Sequence, residues 1–223
     1  MPETIVEIKP RPRDRMWIRL SGGRFFTIPQ SEGETLGPGL VLQDDEVERL
    51  SRVDQYVRGR DKALHLLSSR ARSRHELESA LAGMEIEPGV RKGILEELRD
   101  LGLVDDVRFA REYAGVRIDL KRLGPHRLKF ELAKFGVSSA IVDRVLDESF
   151  PSGRQEELAR EVVGRRLGSR TPDEKDVRRI SGLLRRKGFD YGVINRIAYE
   201  LLTRRRDAFE TTYDEEPHGQ DDE

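Results

Sequence analysis

Several residue types and segment types are missing from this 223-residue chain. It has no cysteine, which excludes disulfides, zinc–thiolate sites and a cysteine nucleophile. Its N-terminus, MPETIVEIKPRPRDR, lacks the apolar core of a signal peptide. No apolar run approaches the roughly 18 residues that a membrane span needs. We therefore expect a cytoplasmic protein that does not enter a membrane.

Motifs for nucleotide, metal or acid–base chemistry are also missing. There is no Walker A pattern, and no G-x-G-x-x-G follows a predicted strand. Asp105 and Asp106 are better explained as helix-capping residues than as a catalytic or Mg²⁺-binding pair. The histidines show no ligand spacing; they are His65, His75, His126 and His218. We expect no enzyme, no catalytic residue, no metal and no cofactor.

Charge is abundant and unevenly distributed. Charged residues make up 37% of the chain and apolar residues 36%, which favours small helical units with wide solvated faces over one thick core. The formal net charge is −1, yet residues 207–223 contain eight acids and no Lys or Arg. The basic excess lies in residues 151–206, which precede this tail. Such asymmetry indicates a polyanionic partner, and we expect the acidic tail to be disordered.

Residues 1–43 read as a small β module. The runs Met16–Leu20 and Arg24–Ile28 flank Ser21-Gly22-Gly23, and Gly-Gly accepts the positive φ that tight hairpin turns require. Residues 5–8 can add a third strand, and residues 36–40 read as a turn. A two-stranded hairpin is marginal alone, so we expect this module to pack on the helices that follow.

From Asp44 onward the chain is predicted to be helical and to repeat itself. Leu81, Leu132 and Leu184 are equivalent, and apolar residues recur at offsets −4, +5, +9 and +13 from each of them. The other members of this set are Leu77, Leu128, Ile180, Ile86, Val137, Phe189, Val90, Ile141, Val193, Ile94, Val145 and Ile197. Each repeat thus reads as three helices in about 50 residues.

Polar residues mark the helix starts. Glu87, Ser138 and Asp190 stand before the third helix of each repeat, while Ser73–Glu76 and Thr171–Glu174 read as capping boxes for the second helix.

The fold is therefore predicted to be mainly α, with tandem three-helix repeats behind an N-terminal β-hairpin module. The predicted segments are 1–43 for the hairpin module, 44–103 for a linker helix and the first repeat, 104–150 for the second repeat, 151–206 for the third, and 207–223 for the acidic tail. Because a unit this small buries little apolar surface, neighbouring repeats are expected to share contacts in an elongated, curved array.

Basic side chains cluster at the loop and second helix of each repeat. Arg127, Phe130 and Lys134 share one face of the predicted helix, opposite Leu128 and Leu132. Gly182 interrupts a cationic stripe in the third repeat, where another backbone could approach. Any of these cations can meet phosphates or carboxylates, and any one of them can equally be a solvated surface residue. The candidate binding residues are Arg70, Arg72, Arg74, Lys121, Arg122, Arg127, Lys129, Lys134, Arg178, Arg179, Arg185 and Arg186.

Two stretches carry a family resemblance. The chain resembles the signatures of the RecX family of bacterial recombinase regulators in two stretches. They are LVDDVRFAREY followed by LGPHRLKFELAKFGV, and ALHLLSSRARSRHELESAL. The matching residues are Arg72, Ser73, Glu76 and Leu77 in the first repeat, and Leu103, Asp106, Phe109, Ala110, Tyr113, Gly124, Pro125, Glu131, Leu132 and Gly136 in the second. Glu85 departs from the pattern, because family members usually have Gly there.

The resemblance implies a monomeric, non-enzymatic protein that binds RecA and lies in the groove of the RecA–DNA filament. There it inhibits ATP hydrolysis and strand exchange, or promotes filament disassembly, and so modulates homologous recombination, DNA repair and the SOS response. Two alternatives stay open: a helical protein that binds DNA directly, and a scaffold for another protein. Direct DNA binding predicts high affinity for naked DNA that falls steeply with salt, whereas a scaffold predicts no effect on the recombinase.

Overall fold

The computed structural model describes the backbone of residues 1–214 and the side chains of residues 1–206. The chain forms two compact units, Met1–Asp106 and Val107–Glu223. In the part that is described, the chain is mostly helical with one small sheet, which confirms the predicted fold class. No helix in that part combines the length and apolar character required to cross a bilayer.

The first unit opens with an antiparallel sheet of order β3-β2-β1-β4. The first three strands are β1 Glu3–Arg11, β2 Arg15–Leu20 and β3 Phe25–Pro29. The short helix α1, Gln30–Gly33, and the strand β4, Val41–Leu42, follow them. The predicted hairpin is confirmed: Gly23 has φ +83° at its turn, and Trp17 pairs with Thr27. The third strand is confirmed as β1. The strand β4, which pairs with Glu3 and Thr4, was not predicted, because two residues are too short for a periodic signal.

Helix α2, Asp44–Ser69, joins the sheet to the first repeat. Its first turns bury Val47 and Leu50 against the sheet, which confirms that the β module packs on the helix that follows. Its later residues pack in a second core, with Ala63 fully buried among α3 (Arg74–Ala82) and α4 (Pro88–Asp100). A single helix of 26 residues therefore serves as both linker and first repeat helix.

The second unit holds the second and third repeats around one apolar core. Its helices are α5 Asp106–Lys121, α6 Pro125–Lys134, α7 Ser139–Ser149, α8 Arg154–Leu167, α9 Glu174–Lys187 and α10 Tyr191–Asp214. Helix α10 continues beyond Asp207, where the acidic tail was predicted to begin, because its preceding turns pack on α8 and α9 and extend the helix cooperatively. The remainder of the predicted tail, residues 215–223, lies outside the described residues.

The repeat register is confirmed at the level of individual side chains. Thirteen of the fifteen equivalent apolar positions are buried, and Val90 and Ile141 are partly buried against the same cores. Val116 on α5 is 56% exposed, because its position falls outside the arc defined by the buried Phe109, Ala110 and Ala114.

The helices begin at the predicted positions with one correction, but Glu87 and Ser138 occupy the N-cap positions of α4 and α7 without a side-chain cap hydrogen bond. Ser73 and Glu76 form the reciprocal capping box of α3. In the third repeat the box is formed by Asp173 and Asp176, so α9 begins later than the Thr171–Glu174 prediction. The carboxylate of Asp173 accepts from the N–H of Asp176 at 2.6 Å, a contact that the Thr171 pattern did not anticipate.

Two backbones meet directly inside the second unit. The N–H of Gly124 donates to the Lys187 carbonyl at 2.8 Å, and the N–H of His126 donates to the Gly188 carbonyl at 3.1 Å. The N-terminus of α6 therefore satisfies free carbonyls at the C-terminus of α9, and the two helix dipoles meet with opposite ends. This contact fixes α6, which carries three candidate cations, against α9, which carries four more.

The second helix of every repeat is followed by a residue in the left-handed conformation. These residues are Glu85, Gly136 and Gly188, with φ of +58°, +69° and +85°. Glycine adopts this conformation without strain, whereas a residue with a Cβ pays about 1–2 kcal/mol. The departure of Glu85 from the family pattern thus falls on a strained backbone position.

Replacing Glu85 with glycine is expected to stabilise the first unit by about 0.5–1 kcal/mol, because relief of strain exceeds the added entropy of the unfolded chain. Urea denaturation monitored by circular dichroism measures this as a higher midpoint. The control is Glu85→Ala, which removes the same carboxylate but keeps the Cβ. Equal stability of the two variants would refute backbone strain as the cause.

Candidate functional site

Two of the three candidate cations of the first repeat form ion pairs within the first unit. Arg70 pairs with the Glu76 carboxylate at 2.5 Å, and Arg72 approaches the same group at 3.4 Å. Arg72 is only 22% exposed. Because Glu76 also closes the capping box of α3, Arg70 and Arg72 brace a helix start. Arg74 is exposed, and its backbone N–H donates to Asp106 at 2.8 Å.

The last residue of α5, Lys121, and the loop residue Arg122 lie apart from the α6 cations. Arg122 has φ +51°, and its Nε lies 2.5 Å from the Glu161 carboxylate on α8. Lys121 is exposed, and its carbonyl accepts a hydrogen bond from Lys187 on α9. This pair therefore faces α8 and α9.

Helix α6 presents an exposed phenyl ring between two cations, as the helical spacing predicted. Phe130 is 52% exposed. The Arg127 guanidinium carbon lies 5.7 Å from its ring centroid and Lys134 Nζ lies 4.5 Å away. Both are within cation–π range. An exposed aromatic ring with flanking cations can stack on a base or on an arginine of a partner, so Phe130 joins the candidate residues.

Lys129 and Glu131 of α6 are paired with side chains of the second unit. Lys129 Nζ lies 2.6 Å from Asp143 on α7. Glu131 accepts hydrogen bonds from Tyr113 Oη at 2.8 Å and from Arg127 Nε at 3.0 Å. The pKa of Glu131 is lowered because these hydrogen bonds and the nearby cations outweigh its desolvation by burial. Arg127 is therefore held in place by Glu131, which lies one turn further along the same helix.

Helix α9 carries the most accessible cations. Val177, Ile180 and Leu184 are buried, and the arginines lie on the opposite side. Arg178 is 75% exposed and lies 3.9 Å from Glu174. The remaining three are exposed and form no ion pair with any side chain of residues 1–206; they are Arg179, Arg185 and Arg186. A Cβ on Gly182 would lie 3.4 Å from Nη1 of Arg186. The Arg186 side chain therefore covers the gap that was predicted at Gly182.

The start of α9 is fixed by an acidic cap. Asp176 Oδ2 accepts from Arg170 Nη1 at 2.6 Å and from the N–H of Asp173 at 3.1 Å. The hydrogen bond from Arg170, followed by that from Asp173, lowers the pKa of Asp176 to about 2. This cap orients the helix that presents Arg178 and Arg179.

Asp176→Asn is expected to destabilise the chain at neutral pH and to flatten its acid dependence. A carboxyl whose pKa is lowered by folding stabilises the folded state above its unfolded pKa of about 4, and this contribution is lost as the pH falls towards 2. Urea unfolding at several pH values tests the difference. Asp147→Asn is the control, since Asp147 is exposed and pairs with no cation in residues 1–206. Parallel pH profiles of wild type and Asp176→Asn would contradict the assignment.

Sequence reasoning missed three cations that accompany Lys121 and Arg122. They are Arg165 and Arg166 at the end of α8 and Lys187 at the end of α9. Their placement in the last helical turns was visible as a local signal. Their convergence was not, because it depends on how α5, α8 and α9 pack. Within residues 1–206, no three His, Asp or Glu side chains are grouped to hold a metal ion.

Comparison with known families matches all three repeats. Models of the first, second and third three-helix domains of RecX match residues 60–98, 105–146 and 154–197. Together these matches cover more than half of the chain. Their order and spacing agree with the repeats seen in the structure.

Individual relatives agree with this result. The regulatory protein RecX of Thermobifida fusca is 34% identical over 151 residues, which are 67% of this chain and 81% of that protein. The regulatory protein RecX of Listeria welshimeri is 27% identical over 165 residues, 73% of this chain. The chain spans 61% of the length of the Listeria protein.

Solved structures show the same architecture. RecX from Lactobacillus salivarius superimposes with a TM-score of 0.60 at 28% identity, covering 66% of this chain and 97% of that structure. Another crystal structure of a regulatory protein RecX superimposes with a TM-score of 0.64 at 24% identity, covering 86% of this chain and 97% of that structure; at that identity it supports the fold alone. With three domain matches in sequence order and a relative at 34% identity, this chain belongs to the RecX family.

Proposed function

We propose that this chain is a non-enzymatic, monomeric regulator of the RecA recombinase. It binds RecA in the groove of the RecA filament on single-stranded DNA and inhibits ATP hydrolysis and strand exchange. It would thereby modulate homologous recombination, DNA repair and the SOS response in the cytoplasm. The observation that carries this proposal is membership of the RecX family across all three three-helix domains, whose relatives are named regulatory proteins.

The accessible cations support binding to a polyanionic assembly. Arg178, Arg179, Arg185 and Arg186 project from the face of α9 that points away from its core. Arginine binds carboxylates and phosphates in a bidentate manner, so this face suits acidic protein surface and DNA backbone alike. Tandem repeats that contact successive protomers add several weak contacts through effective concentration.

Arg74 and the loop cations remain secondary candidates in this proposal. Arg70, Arg72, Arg122 and Lys129 are held by intramolecular carboxylates, and a partner would have to compete with those contacts. Arg179, Arg185 and Arg186 of α9 form no such ion pair with the side chains of residues 1–206, and Arg178 lies 3.9 Å from the exposed Glu174. We therefore assign the main binding role to α9 and the Phe130 face of α6.

Direct contact with DNA is the second candidate function, and Phe130 favours it. An exposed ring between Arg127 and Lys134 resembles the stacking platforms of single-strand-binding proteins, where stacking contributes about 1–3 kcal/mol per base. A direct DNA binder would lose affinity with a slope of about −0.7 per phosphate neutralised on single strands. In the RecA proposal this contact is weak and assists filament binding.

The proposal is tested by titrating this protein into single-stranded-DNA-dependent ATP hydrolysis by RecA of the same organism. Binding to the same DNA without RecA is measured in parallel. We expect inhibition well below one protein per RecA, together with weak binding to naked DNA. No inhibition would reject the RecA proposal, and inhibition that follows saturation of bare DNA would support direct DNA binding instead.

A further inference from the structure

A cleft of about 390 Å³ opens within the second unit where α5, α8 and α9 end. Its floor is apolar: Leu123 and Val162 are buried, and Leu183 is partly buried. Leu120 stands at the same cleft and is 73% exposed. A large leucine side chain exposed to water beside an apolar floor leaves surface that a bound apolar group would cover.

The cleft is lined by five cations, namely Lys121, Arg122, Arg165, Arg166 and Lys187. Arg122 is neutralised by Glu161. Within residues 1–206, the side chains of Lys121, Arg165 and Arg166 form no ion pair. The pKa of Lys187 is lowered by burial and by the charges of Arg165 and Arg122, which shows that like charges are crowded here.

Helix-end electrostatics explain only part of this arrangement. A cation in the last turn of a helix interacts favourably with its negative end, and each of α5, α8 and α9 has at least one. That effect acts on each helix separately. It does not require the three ends to meet around a shared apolar floor.

The chemistry of the lining distinguishes between anionic ligands. Single-stranded nucleic acid is bound through aromatic side chains that stack on bases, and this cleft is lined by leucines, a valine and cations without an aromatic residue. A phosphate group alone would leave the apolar floor uncovered. A carboxylate-rich peptide with a large apolar side chain would cover the apolar floor and pair with the cations around it. Protein interfaces combine an apolar anchor with a polar rim in the same way.

We propose that this cleft is a docking site for an acidic peptide segment of a partner protein. A large apolar side chain of the peptide covers Leu123, Val162 and Leu183, while its carboxylates pair with Lys121, Arg165 and Arg166. The site is separate from the outward arginines of α9, and it does not require that the partner be RecA. The acidic residues 215–223 of this chain contain no large apolar side chain. Their charge is therefore complementary to the cations of the cleft, but they have no side chain that would cover its apolar floor.

The test is a fluorescence anisotropy titration of the full chain with a fluorescein-labelled helical peptide that carries Phe and Leu on one face and Glu on the other. The same peptide with Gln in place of Glu, and an oligothymidylate of equal length, serve as comparison probes. We expect the Glu peptide to bind at least about tenfold more tightly than either.

Variants locate the binding. Arg165→Gln with Arg166→Gln, and separately Leu120→Ser, are each expected to weaken peptide binding about tenfold. These side chains are exposed, so the fold should be retained, and circular dichroism checks it. Lys62→Gln with Lys92→Gln, which changes two exposed lysines of the first unit, is the matched control outside the cleft and should leave binding unchanged.

Three outcomes would overturn the proposal. The first is peptide binding that survives both the arginine and the leucine variants. The second is tighter binding of oligothymidylate that is lost in the same variants, which would make the cleft a phosphate site. The third is a tenfold gain in peptide affinity when the chain is ended at Asp214, which would assign the cleft to the chain's own acidic tail.

Discussion

Replacing Gly188 with alanine is expected to lower the free energy of unfolding by about 2–5 kcal/mol. A Cβ at this position would lie 2.3 Å from the backbone N of Arg127 and 2.9 Å from its Cα. Backbone atoms cannot rotate away as a flexible side chain can, so α6 and α9 must separate. Overpacking typically costs about 1–3 kcal/mol, and a non-glycine residue at φ +85° adds about 1–2 kcal/mol.

Urea denaturation of the full chain measures this loss. Gly164→Ala in α8 is the matched control, because a Cβ there meets no atom within 4 Å. Alanine in a helix interior should stabilise by about 0.5–1 kcal/mol. If the two variants shift the midpoint in the same direction, the close approach of α6 and α9 does not limit stability.

Gly124→Ala tests the same contact from the other side. Its Cβ would lie 2.4 Å from the Gly188 carbonyl oxygen. Because both substitutions separate the same two helix ends, their combined effect should be smaller than the sum of the single effects. Full additivity would indicate two independent sites.

Reversing the four arginines of α9 to glutamate is expected to weaken the proposed inhibition of RecA ATP hydrolysis by about tenfold or more. The four side chains are exposed and their loss leaves the buried face of α9 intact. Replacing attraction by repulsion at a polyanionic surface affects the association rate most strongly. The half-inhibitory concentration in the ATP hydrolysis assay is the measurement. The changed residues are Arg178, Arg179, Arg185 and Arg186.

Two further variants make this result interpretable. The four arginines replaced by glutamine should give an intermediate loss, with less disturbance of the last turn of α9. Four exposed cations of the first unit reversed to glutamate produce the same change in net charge; they are Lys9, Arg49, Arg52 and Lys92. An equal loss of inhibition in this control set would mean that net charge, and no particular surface, governs binding.

The sequence predicted helices, repeat register and most of the core, and the physical reason is periodicity. Leu81, Leu132 and Leu184 are all fully buried, because an apolar residue at the centre of a helical stripe has no alternative place in a three-helix unit. Local capping rules also held for Ser73. They placed the start of α9 too early, because Thr171 and Asp173 both satisfy the rule and only the folded chain selects between them.

The candidate site could be predicted only as a set of cations. Arg72 and Arg179 look alike in the sequence, yet Arg72 is fixed by Glu76 whereas Arg179 is exposed. Arg122 is neutralised by Glu161, which lies 39 residues away in the chain. Whether a cation is available to a partner depends on such distant carboxylates, and periodicity carries no information about them.

Helix α2 belongs to two cores at once, with Val47 and Leu50 in the first and Ala63 in the second. At its centre, a Cβ on Gly59 would lie 2.7 Å from the side chains of Ile86 and Ile94, so the helix passes tightly against α4. An unbroken helix of 26 residues extends about 39 Å and leaves no hinge between sheet and bundle. A partner that binds the strands therefore also fixes the orientation of the first repeat, because the β module and the repeat share one rigid helix.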